Sequence, residues 1–323
     1  MLRHALAPLL CLTVAVGQTA PPRPAFAFLQ DPPLGLPRMP APVGYEPTAA
    51  MFALGERLFG DGILSIDRTV SCASCHPPAN GFASPERFPA GVRGRRAARH
   101  APALWNRGYG VRQRWDGSSP SLETFVLEPI GDPNEMGCSV PEVVQRLQED
   151  ETYRVQFERA FGGGPDAERL QRALATFVRG IVMADAPYDR FLRGDTEAMT
   201  RSQRTGQWIF ESKGGCWQCH TPPLFTDDSF HNTGVGVRDG RAEPGRQAHT
   251  KDADDTGRWK TPTLRGLRLT APYMHDGSLA TLDDVVAFYV EGGHANPHLD
   301  ARVRPLQLTV EERRDLVAFL SSL

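Results

Sequence analysis

Two short cysteine motifs place the strongest constraint on how this 323-residue chain can fold. Each has two cysteines separated by two residues and followed at once by a histidine: Cys72, Cys75 and His76 in "CASCH", and Cys216, Cys219 and His220 in "CWQCH". This spacing is the attachment signature of c-type haem, in which both thiols form thioethers to the porphyrin and the histidine binds the iron. A redox dithiol does not need the histidine twice, and zinc sites keep their cysteine pairs closer in sequence. The sequence therefore predicts two covalently bound haems.

The first 20 residues have the pattern of an export signal. Arg3 and His4 precede an apolar run from Ala5 to Val16, and small residues close it. The run is shorter than the roughly 20 residues that span a bilayer, so it predicts a signal peptide cut after Ala20 rather than a membrane anchor. We expect the mature chain in a bacterial periplasm, without a membrane span.

The composition is that of a soluble globular protein. Hydrophobic residues form 40% of the chain, charged residues form 23%, and the net charge is −2. The nearly neutral balance argues against a nucleic-acid binder. The length is sufficient for two domains. Cys138 stands outside both motifs, and the sequence assigns it no role.

The order of segments predicts one domain around each haem. Residues 21–47 are rich in proline and predict an extended lead-in. We expect an N-terminal haem domain over residues 48–164 and a C-terminal haem domain over residues 165–323. Since no convincing strand alternation occurs, the predicted fold is mostly α, with two cytochrome-c-like domains and long loops.

Apolar spacing and capping pairs predict the main helices. The clearest periodic run extends from Leu170 to Ile181, and another helix precedes each haem motif. Pairs at capping-box spacing predict the starts of further helices: Ser139 with Glu142, Thr281 with Asp284, and Thr309 with Glu312.

The region after the first motif lacks an obvious sixth ligand for the iron. Between His76 and Trp115 there is no methionine and a single histidine, His100. Residues 87–114 instead hold eight arginines and no acid: Arg87, Arg93, Arg95, Arg96, Arg99, Arg107, Arg112 and Arg114. The first haem is therefore expected to have an open distal face. The arginines form a solvated basic face, or some of them pair with haem propionates or an acidic partner.

Three side chains near the C-terminus compete for the sixth position of the second iron. The stretch "APYMHDGSLATLDDVVAFYVEGG" contains Met274 and Tyr289, and His294 follows it. A thioether would make an electron-transfer haem, whereas a phenolate stabilises ferric and higher-valent iron. Helical spacing places Leu282, Val285, Val286 and Tyr289 on one apolar face. This pattern directs Tyr289 toward the haem, and Met274 and His294 remain alternatives.

Several motifs resemble those of the bacterial di-haem cytochrome c peroxidases and their relative MauG. They are "FGDGILSIDRTVSCASCHPPANGF", "RHAPALWN", "RWDG", "EPIGDPNEMG", "GGCWQCH", "KTPTLRGL" and the C-terminal stretch quoted above. The resemblance runs from about residue 50 to the end of the chain. It implies that hydrogen peroxide reacts at the N-terminal haem and that the C-terminal haem transfers electrons.

The resemblance also implies roles for four residues near the first haem. The family has a tryptophan between its haems, which is Trp115 here. A glutamine, a proline and a glutamate follow it at fixed offsets, and the last two match Pro129 and Glu135. Glu135 would move a proton between the peroxide oxygens. The glutamine position falls on Phe125, which removes a hydrogen-bond donor and makes the pocket drier.

Two further family features differ in this chain. Typical peroxidases carry a switchable distal histidine after the first haem, and here the aligned place holds arginines and Val92. The first haem would then be open without reductive activation. The family also binds a calcium ion between its domains. Thr270 and Pro272 are retained at that site, whereas His100 replaces an asparagine.

The resemblance favours Tyr289 as the ligand of the second iron. In the peroxidases a methionine stands fourteen residues after the histidine of "HDG", and that count from His275 reaches Tyr289. MauG has tyrosine at this place. The implied activity is MauG-like, in which peroxide generates a bis-Fe(IV) state that oxidises a tryptophan or tyrosine of an exported partner protein. The alternatives are a cytochrome c peroxidase supplied with electrons by a small cytochrome or cupredoxin, and a plain di-haem electron carrier.

Overall fold

The computed structural model describes residue 29 and residues 31–323. The predicted signal peptide, residues 1–20, and the first part of the proline-rich lead-in lie outside the described residues. Within the described part, helices and loops form almost all of the structure, so the predicted mostly α fold with long loops is confirmed.

Twelve α-helices are present between residues 31 and 323, and most are short. In chain order they are α1 (Ala49–Gly60), α2 (Cys72–Cys75), α3 (Leu122–Phe125), α4 (Glu128–Gly131), α5 (Val140–Glu149), α6 (Glu151–Phe161), α7 (Ala167–Arg179), α8 (Pro187–Leu192), α9 (Arg201–Glu211), α10 (Gln247–Thr250), α11 (Leu282–Val290) and α12 (Val310–Leu320). Short 3₁₀ turns, among them Val92–Gly94 and Cys216–Gln218, occur in the loops between them.

One small antiparallel sheet joins two distant parts of the second half. Strand β1 (Phe230–His231) pairs with β2 (Trp259–Lys260), with Phe230 opposite Lys260. The backbone N–H of Lys260 also donates to the carbonyl oxygen of Trp115 at 2.7 Å. The sheet therefore fixes residues 259–260 beside the tryptophan of the "RWDG" motif.

Three hydrophobic clusters divide the chain into two halves. The first two involve N-terminal residues and include α7, through Leu170 and Leu174 in one and Phe177 and Val178 in the other. A separate cluster joins α8, α9, α11 and α12. Helix α7 therefore packs with the N-terminal core, although the expected domain division at residues 164/165 assigned it to the C-terminal domain. We propose that the boundary lies after Ile181, the last residue of the N-terminal clusters.

The capping predictions are largely confirmed. Thr281 with Asp284 and Thr309 with Glu312 form reciprocal capping boxes at the starts of α11 and α12. The hydroxyl of Ser139 caps α5 by accepting from the backbone N–H of Glu142. The Glu142 carboxylate does not return a bond to Ser139, since it binds Arg146 at 2.6 Å instead.

A buried ion pair connects the lead-in to the C-terminal half. The Arg265 guanidinium binds both carboxylate oxygens of Asp189 at 2.7 and 2.8 Å. It also donates to the carbonyl oxygens of Gly35 and Pro223 at 3.1 and 2.7 Å. Both ionic side chains are nearly inaccessible to solvent, with exposed fractions of 0% and 2%. In the described part of the chain, no helix is both long enough and apolar enough to span a bilayer.

Candidate haem sites and the groups between them

Each cysteine motif opens onto a large cavity. The first cavity has about 1940 Å³ of free space including its mouth, and Cys75 and His76 lie in its wall. A smaller apolar cavity of about 620 Å³, which includes Cys72, shares several of these wall residues. The second cavity has about 1480 Å³ of free space, and its wall includes Cys216, Cys219 and His220. The motifs therefore face space of the kind that a large flat cofactor requires.

The two motif histidines are held in the same way. Nδ1 of His76 lies 2.9 Å from the carbonyl oxygen of Phe82, and Nδ1 of His220 lies 2.9 Å from that of Phe225. A carbonyl oxygen only accepts, so Nδ1 carries the proton in both rings and Nε2 is left to bind a metal. Burial lowers the pKa of His76 to about 4 and lowers that of His220, so both rings stay neutral.

The cysteine thiols of both motifs are unpaired with one another. Burial raises the pKa of Cys72 and of Cys216 to about 12, and that of Cys75 to about 11. The described chain thus presents free thiols beside neutral imidazoles, a donor set that fits a c-type haem.

Trp115 lies where the two cavities meet. Its side chain forms part of both walls, as do those of Trp259, Lys260 and Met274. The indole Nε1 donates to the carbonyl oxygen of His100 at 2.8 Å, which fixes the ring. Trp115 therefore lies between the cavities, and its role as a bridge for electrons stays a prediction.

A buried excess of positive charge also lies between the cavities. Asp228 is 3.7 Å from both Arg107 and Lys260, so one carboxylate faces two cations. Burial and the nearby Arg107 charge lower the pKa of Lys260 to about 7. An additional anion would relieve this imbalance, and the carboxylates of a haem are of that kind. The neutral imidazoles, the free thiols and this unbalanced charge together show that the residues fit two haems.

Glu135, Pro129 and Phe125 occupy one part of the first cavity wall, close to the motif cysteine Cys75. Burial raises the pKa of Glu135, and the nearby acid Asp132 adds to the increase. The Phe125 ring offers no hydrogen-bond donor. The structure therefore brings together the three residues that the sequence selected here, in a mainly apolar surrounding with a titratable carboxyl group.

Val92 takes the place expected for a switchable histidine. Its side chain is buried in the N-terminal core, with an exposed fraction of 2%. Its backbone N–H donates to the carbonyl oxygen of Glu135 at 2.8 Å. Val92 is not part of either cavity wall.

Most of the arginines between residues 87 and 114 are neutralised by acids from other segments. Five of the eight form ion pairs: Arg87 with Asp276, Arg96 with Glu86, Arg99 with Glu243, Arg107 with Asp228, and Arg114 with Glu128. Five of the arginines are thus paired with acids of the chain itself, and the other three, Arg93, Arg95 and Arg112, form no ion pair in the described residues.

The candidates for the sixth position of the second iron differ in location. Tyr289 and Met274 both belong to the wall of the second cavity, whereas His294 does not and packs edge-on against Phe288 at 5.2 Å. The other residues of the predicted α11 face, Leu282, Val285 and Val286, lie in the same wall. Burial raises the pKa of Tyr289 to about 12.

The residues implied for calcium all lie in the wall of the first cavity. Nδ1 of His100 is 3.2 Å from the carbonyl oxygen of Glu86, and the hydroxyl of Thr270 donates to the Leu267 carbonyl at 3.3 Å. Pro272 follows a cis peptide bond. The calcium ion therefore stays a prediction.

Sequence reasoning did not single out Lys260, Trp259 or Arg114. Lys260 opens the "KTPTLRGL" motif and Trp259 precedes it, so the motif itself was the available indication. Arg114 was counted only as one member of an arginine-rich segment. Within the described residues, a further group of ligand-type side chains consists of Cys219, Asp227 and His231, and its thiol belongs to the second haem motif.

Comparisons with known proteins agree with this geometry. A family model described as di-haem cytochrome c peroxidase matches residues 49–197. Methylamine utilization protein MauG of Methylorubrum extorquens is 38% identical over 289 residues, covering 88% of this chain and 81% of the relative. Cytochrome-c peroxidase IdrP2 of Denitromonas iodatirespirans is 35% identical, covering 85% of this chain and 82% of the relative.

The crystal structure of a MauG-like protein associated with microbial copper homeostasis has the same fold. It superposes with a TM-score of 0.85 at 33% identity, covering 91% of this chain and 94% of that one. Relatives of similar identity thus carry both peroxidase and MauG names. The chain belongs to the family of di-haem cytochrome c peroxidases and MauG proteins, and it is a haem-dependent oxidoreductase with two haem cofactors that uses peroxide.

Proposed function

We propose that this protein uses hydrogen peroxide to oxidise a tryptophan or tyrosine side chain of an exported partner protein in the periplasm. The observation that carries the proposal is the position of Tyr289 on the cavity-facing side of α11, in the same wall as His220. When bound, the two haems would supply the reaction with peroxide and hold the oxidising equivalents. A phenolate ligand would favour the oxidised forms of the second iron over the reduced form.

The first cavity supports peroxide entry without prior reduction. Val92 is buried and stands where a switchable histidine would be needed, and it belongs to neither cavity wall. Glu135 would accept and return a proton at the peroxide oxygens, and burial raises its pKa above that of an exposed glutamate. The cysteines of both motifs would attach the haems covalently.

Electrons would reach the first site through the residues between the cavities. Trp115 belongs to both walls, so it divides the distance between the haems into two shorter steps. Trp217, inside the second motif, is 47% exposed and lies on the surface that a partner protein would meet. The apolar, exposed indole beside the second haem site is a suitable entry point for electrons from a docked protein.

A second candidate is a cytochrome c peroxidase that reduces peroxide to water with electrons from a small cytochrome or cupredoxin. The 35% identity to a protein named cytochrome-c peroxidase favours it. The two functions differ in what the fully oxidised protein does with peroxide. A conventional peroxidase requires one haem to be reduced first, whereas the proposed enzyme reacts from the diferric form.

The test is optical. Stoichiometric hydrogen peroxide is added to the fully oxidised, haem-loaded protein without reductant, and the visible and near-infrared spectra are recorded. We expect rapid loss of the ferric Soret band and a long-lived near-infrared charge-resonance band. A reaction that starts only after one haem has been reduced would favour the peroxidase instead. Metal analysis of the same sample tests the calcium ion expected near Thr270.

A further inference from the structure

The first cavity contains a guanidinium that is only partly engaged, and we propose that Arg114 donates hydrogen bonds to peroxide there. The inference rests on the proposed function, in which peroxide enters this cavity. It assigns to Arg114 the stabilisation of the hydroperoxide anion that forms when a peroxide proton passes to Glu135. The bound ligand class is a small oxygen-terminated or halide anion.

Arg114 shares the cavity wall with Glu135, Pro129 and Phe125. Its Nε donates to Oε2 of Glu128 at 2.5 Å, and this is the single hydrogen bond that its side chain makes within residues 31–323. Both terminal nitrogens of the guanidinium therefore keep their N–H donors free. The guanidinium carbon lies 6.0 Å from the centre of the Phe125 ring, which belongs to the same wall.

The backbone holds Arg114 in a conformation that non-glycine residues rarely adopt. Its φ is +64°, in the left-handed region. The neighbours on both sides are fixed, since the N–H of Gln113 donates to Ser119 at 2.9 Å and the carbonyl of Trp115 accepts from Lys260 at 2.7 Å. Backbone strain that the surroundings maintain is concentrated at functional sites. The Arg114 side chain belongs to the cavity wall and is 34% exposed.

The chemistry of the site requires such a donor. When Glu135 takes one proton from hydrogen peroxide, the oxygen–hydrogen bond breaks and its electron pair stays on the hydroperoxide anion. Phe125 and Pro129 offer no side-chain donor, and Asp132 and Glu135 are acids. Arg114 is the cation of this wall whose guanidinium lies over Phe125, so it can offset the new negative charge. Its pairing with Glu128 restrains the guanidinium without using the terminal N–H groups.

Fluoride binding to the ferric holo protein tests the assignment without any redox reaction. Fluoride is a small anion that accepts hydrogen bonds, and its binding is followed optically at fixed pH. Arg114→Met should raise the dissociation constant of fluoride at least tenfold relative to the parent protein. Arg114→Lys keeps a cation and should retain more of the affinity than Arg114→Met. Arg93→Met is the matched control, because Arg93 is exposed, belongs to the same half and is in neither cavity wall. The fluoride affinity of Arg93→Met should stay within twofold of that of the parent protein.

Several outcomes would overturn the assignment. They are unchanged fluoride affinity in Arg114→Met, an equal loss in Arg93→Met, or a parent protein that binds no fluoride because another ligand closes the iron. A changed reduction potential of the first haem with unchanged fluoride affinity would place Arg114 against a haem carboxylate instead. If Arg114→Met does not retain both haems, Arg114→Lys and Arg114→Gln give the same comparison.

Failure of this assignment and failure of the proposed function give different experimental results. Fluoride affinity that depends on Arg114, together with no oxidation of a partner protein, would disprove the proposed function and keep the assignment. Oxidation of a partner protein, together with a fluoride affinity that does not depend on Arg114, would support the proposed function and disprove the assignment. If both the assignment and the proposed function hold, the second-order rate constant for the reaction of the ferric protein with peroxide should fall at least tenfold in Arg114→Met.

Discussion

The imidazole of His275 stacks on the indole of Trp259, with ring centroids 3.9 Å apart and an angle of 17° between the planes. Trp115 meets the same imidazole edge-on at 6.4 Å, and the Arg99 guanidinium covers Trp259 at 4.9 Å. Burial lowers the pKa of His275 to about 4, so the ring is neutral. Three aromatic rings thus form a continuous contact series where the two haem cavities meet.

This series leads to a prediction for Trp115. Trp115→Phe should abolish or strongly weaken the near-infrared band formed with peroxide, because phenylalanine is much harder to oxidise than tryptophan. Both haems should remain attached, since neither motif changes. The measurement is the near-infrared spectrum after stoichiometric peroxide. Trp208→Phe is the control, as Trp208 is 55% exposed and outside both cavity walls.

Tyr289 gives a prediction about reduction potential. Tyr289→Phe should raise the midpoint potential of the second haem, because loss of a phenolate ligand destabilises the ferric form. Burial raises the pKa of Tyr289 to about 12, so its phenol stays protonated until it binds the iron. Binding as a phenolate releases this proton, and the phenylalanine variant has no such proton to release. A spectroelectrochemical titration measures the potential. Met274→Leu tests the competing ligand, and a large shift in that variant alone would reverse the assignment.

Glu135 gives a prediction about peroxide and pH. Glu135→Gln should slow the reaction of the ferric protein with peroxide by about 10²–10⁴-fold, the usual contribution of a positioned acid or base. Burial raises its pKa, so the active carboxylate is lost as pH falls, at a higher pH than for an exposed glutamate. Stopped-flow spectra from pH 4 to 8 measure both effects. An unchanged rate would remove Glu135 from the reaction, and the exposed Glu158→Gln serves as control.

Lys260 gives a prediction for both haems at once. Lys260 lies in both cavity walls, and burial lowers its pKa to about 7, so it carries a full charge only below that pH. Measured below that pH, Lys260→Met should lower both midpoint potentials, because the oxidised iron repels positive charge more. At a separation of about 10 Å and an effective dielectric constant of about 20, the Coulomb energy is roughly 1.7 kcal/mol, equivalent to about 70 mV. The exposed Lys251→Met should shift neither potential. A shift at one haem only would contradict the shared position.

The buried pair of Asp189 and Arg265 gives a prediction about stability. Asp189→Asn leaves the Arg265 charge without its carboxylate and should lower the free energy of unfolding by about 3–5 kcal/mol. Asp185→Asn removes an equally close but exposed pair with Arg190 and should cost about 0–1 kcal/mol. Thermal unfolding of the two holo variants under identical conditions measures the difference. Equal effects would show that burial of the pair is not decisive.

The sequence predicted best what depends on local periodicity. The face of α11 that carries Tyr289 follows from apolar residues repeating at helical spacing, and its start follows from the Thr281 cap. The capping box at Ser139 was half right, because Arg146 lies one turn from Glu142 and competes for its carboxylate. Periodicity alone does not decide between two such partners.

The sequence could not predict what depends on distant parts of the chain. Lys260 reaches the space between the cavities only because β1 and Trp115 hold its strand. The acids that pair with five arginines between residues 87 and 114 all come from outside that segment. The segment alone therefore suggests a larger local positive charge than the folded protein has there. The domain boundary expected at residues 164/165 stays a prediction. Leu170 and Leu174 of α7 pack in the N-terminal core, which is the observation behind the boundary that we propose after Ile181.

The Arg265 guanidinium has a consequence for the order in which the chain assembles. Its partners Asp189 and Gly35 lie 76 and 230 positions away. Contacts over such distances form late, because the entropy of closing a long loop must be offset by structure that already exists. Until residue 265 has been synthesised and docked, Asp189 has no cation to bury against. A chain truncated before Arg265 would therefore leave this carboxylate and the end of the lead-in without their shared partner, and it would be recognisable as incomplete by its lower stability.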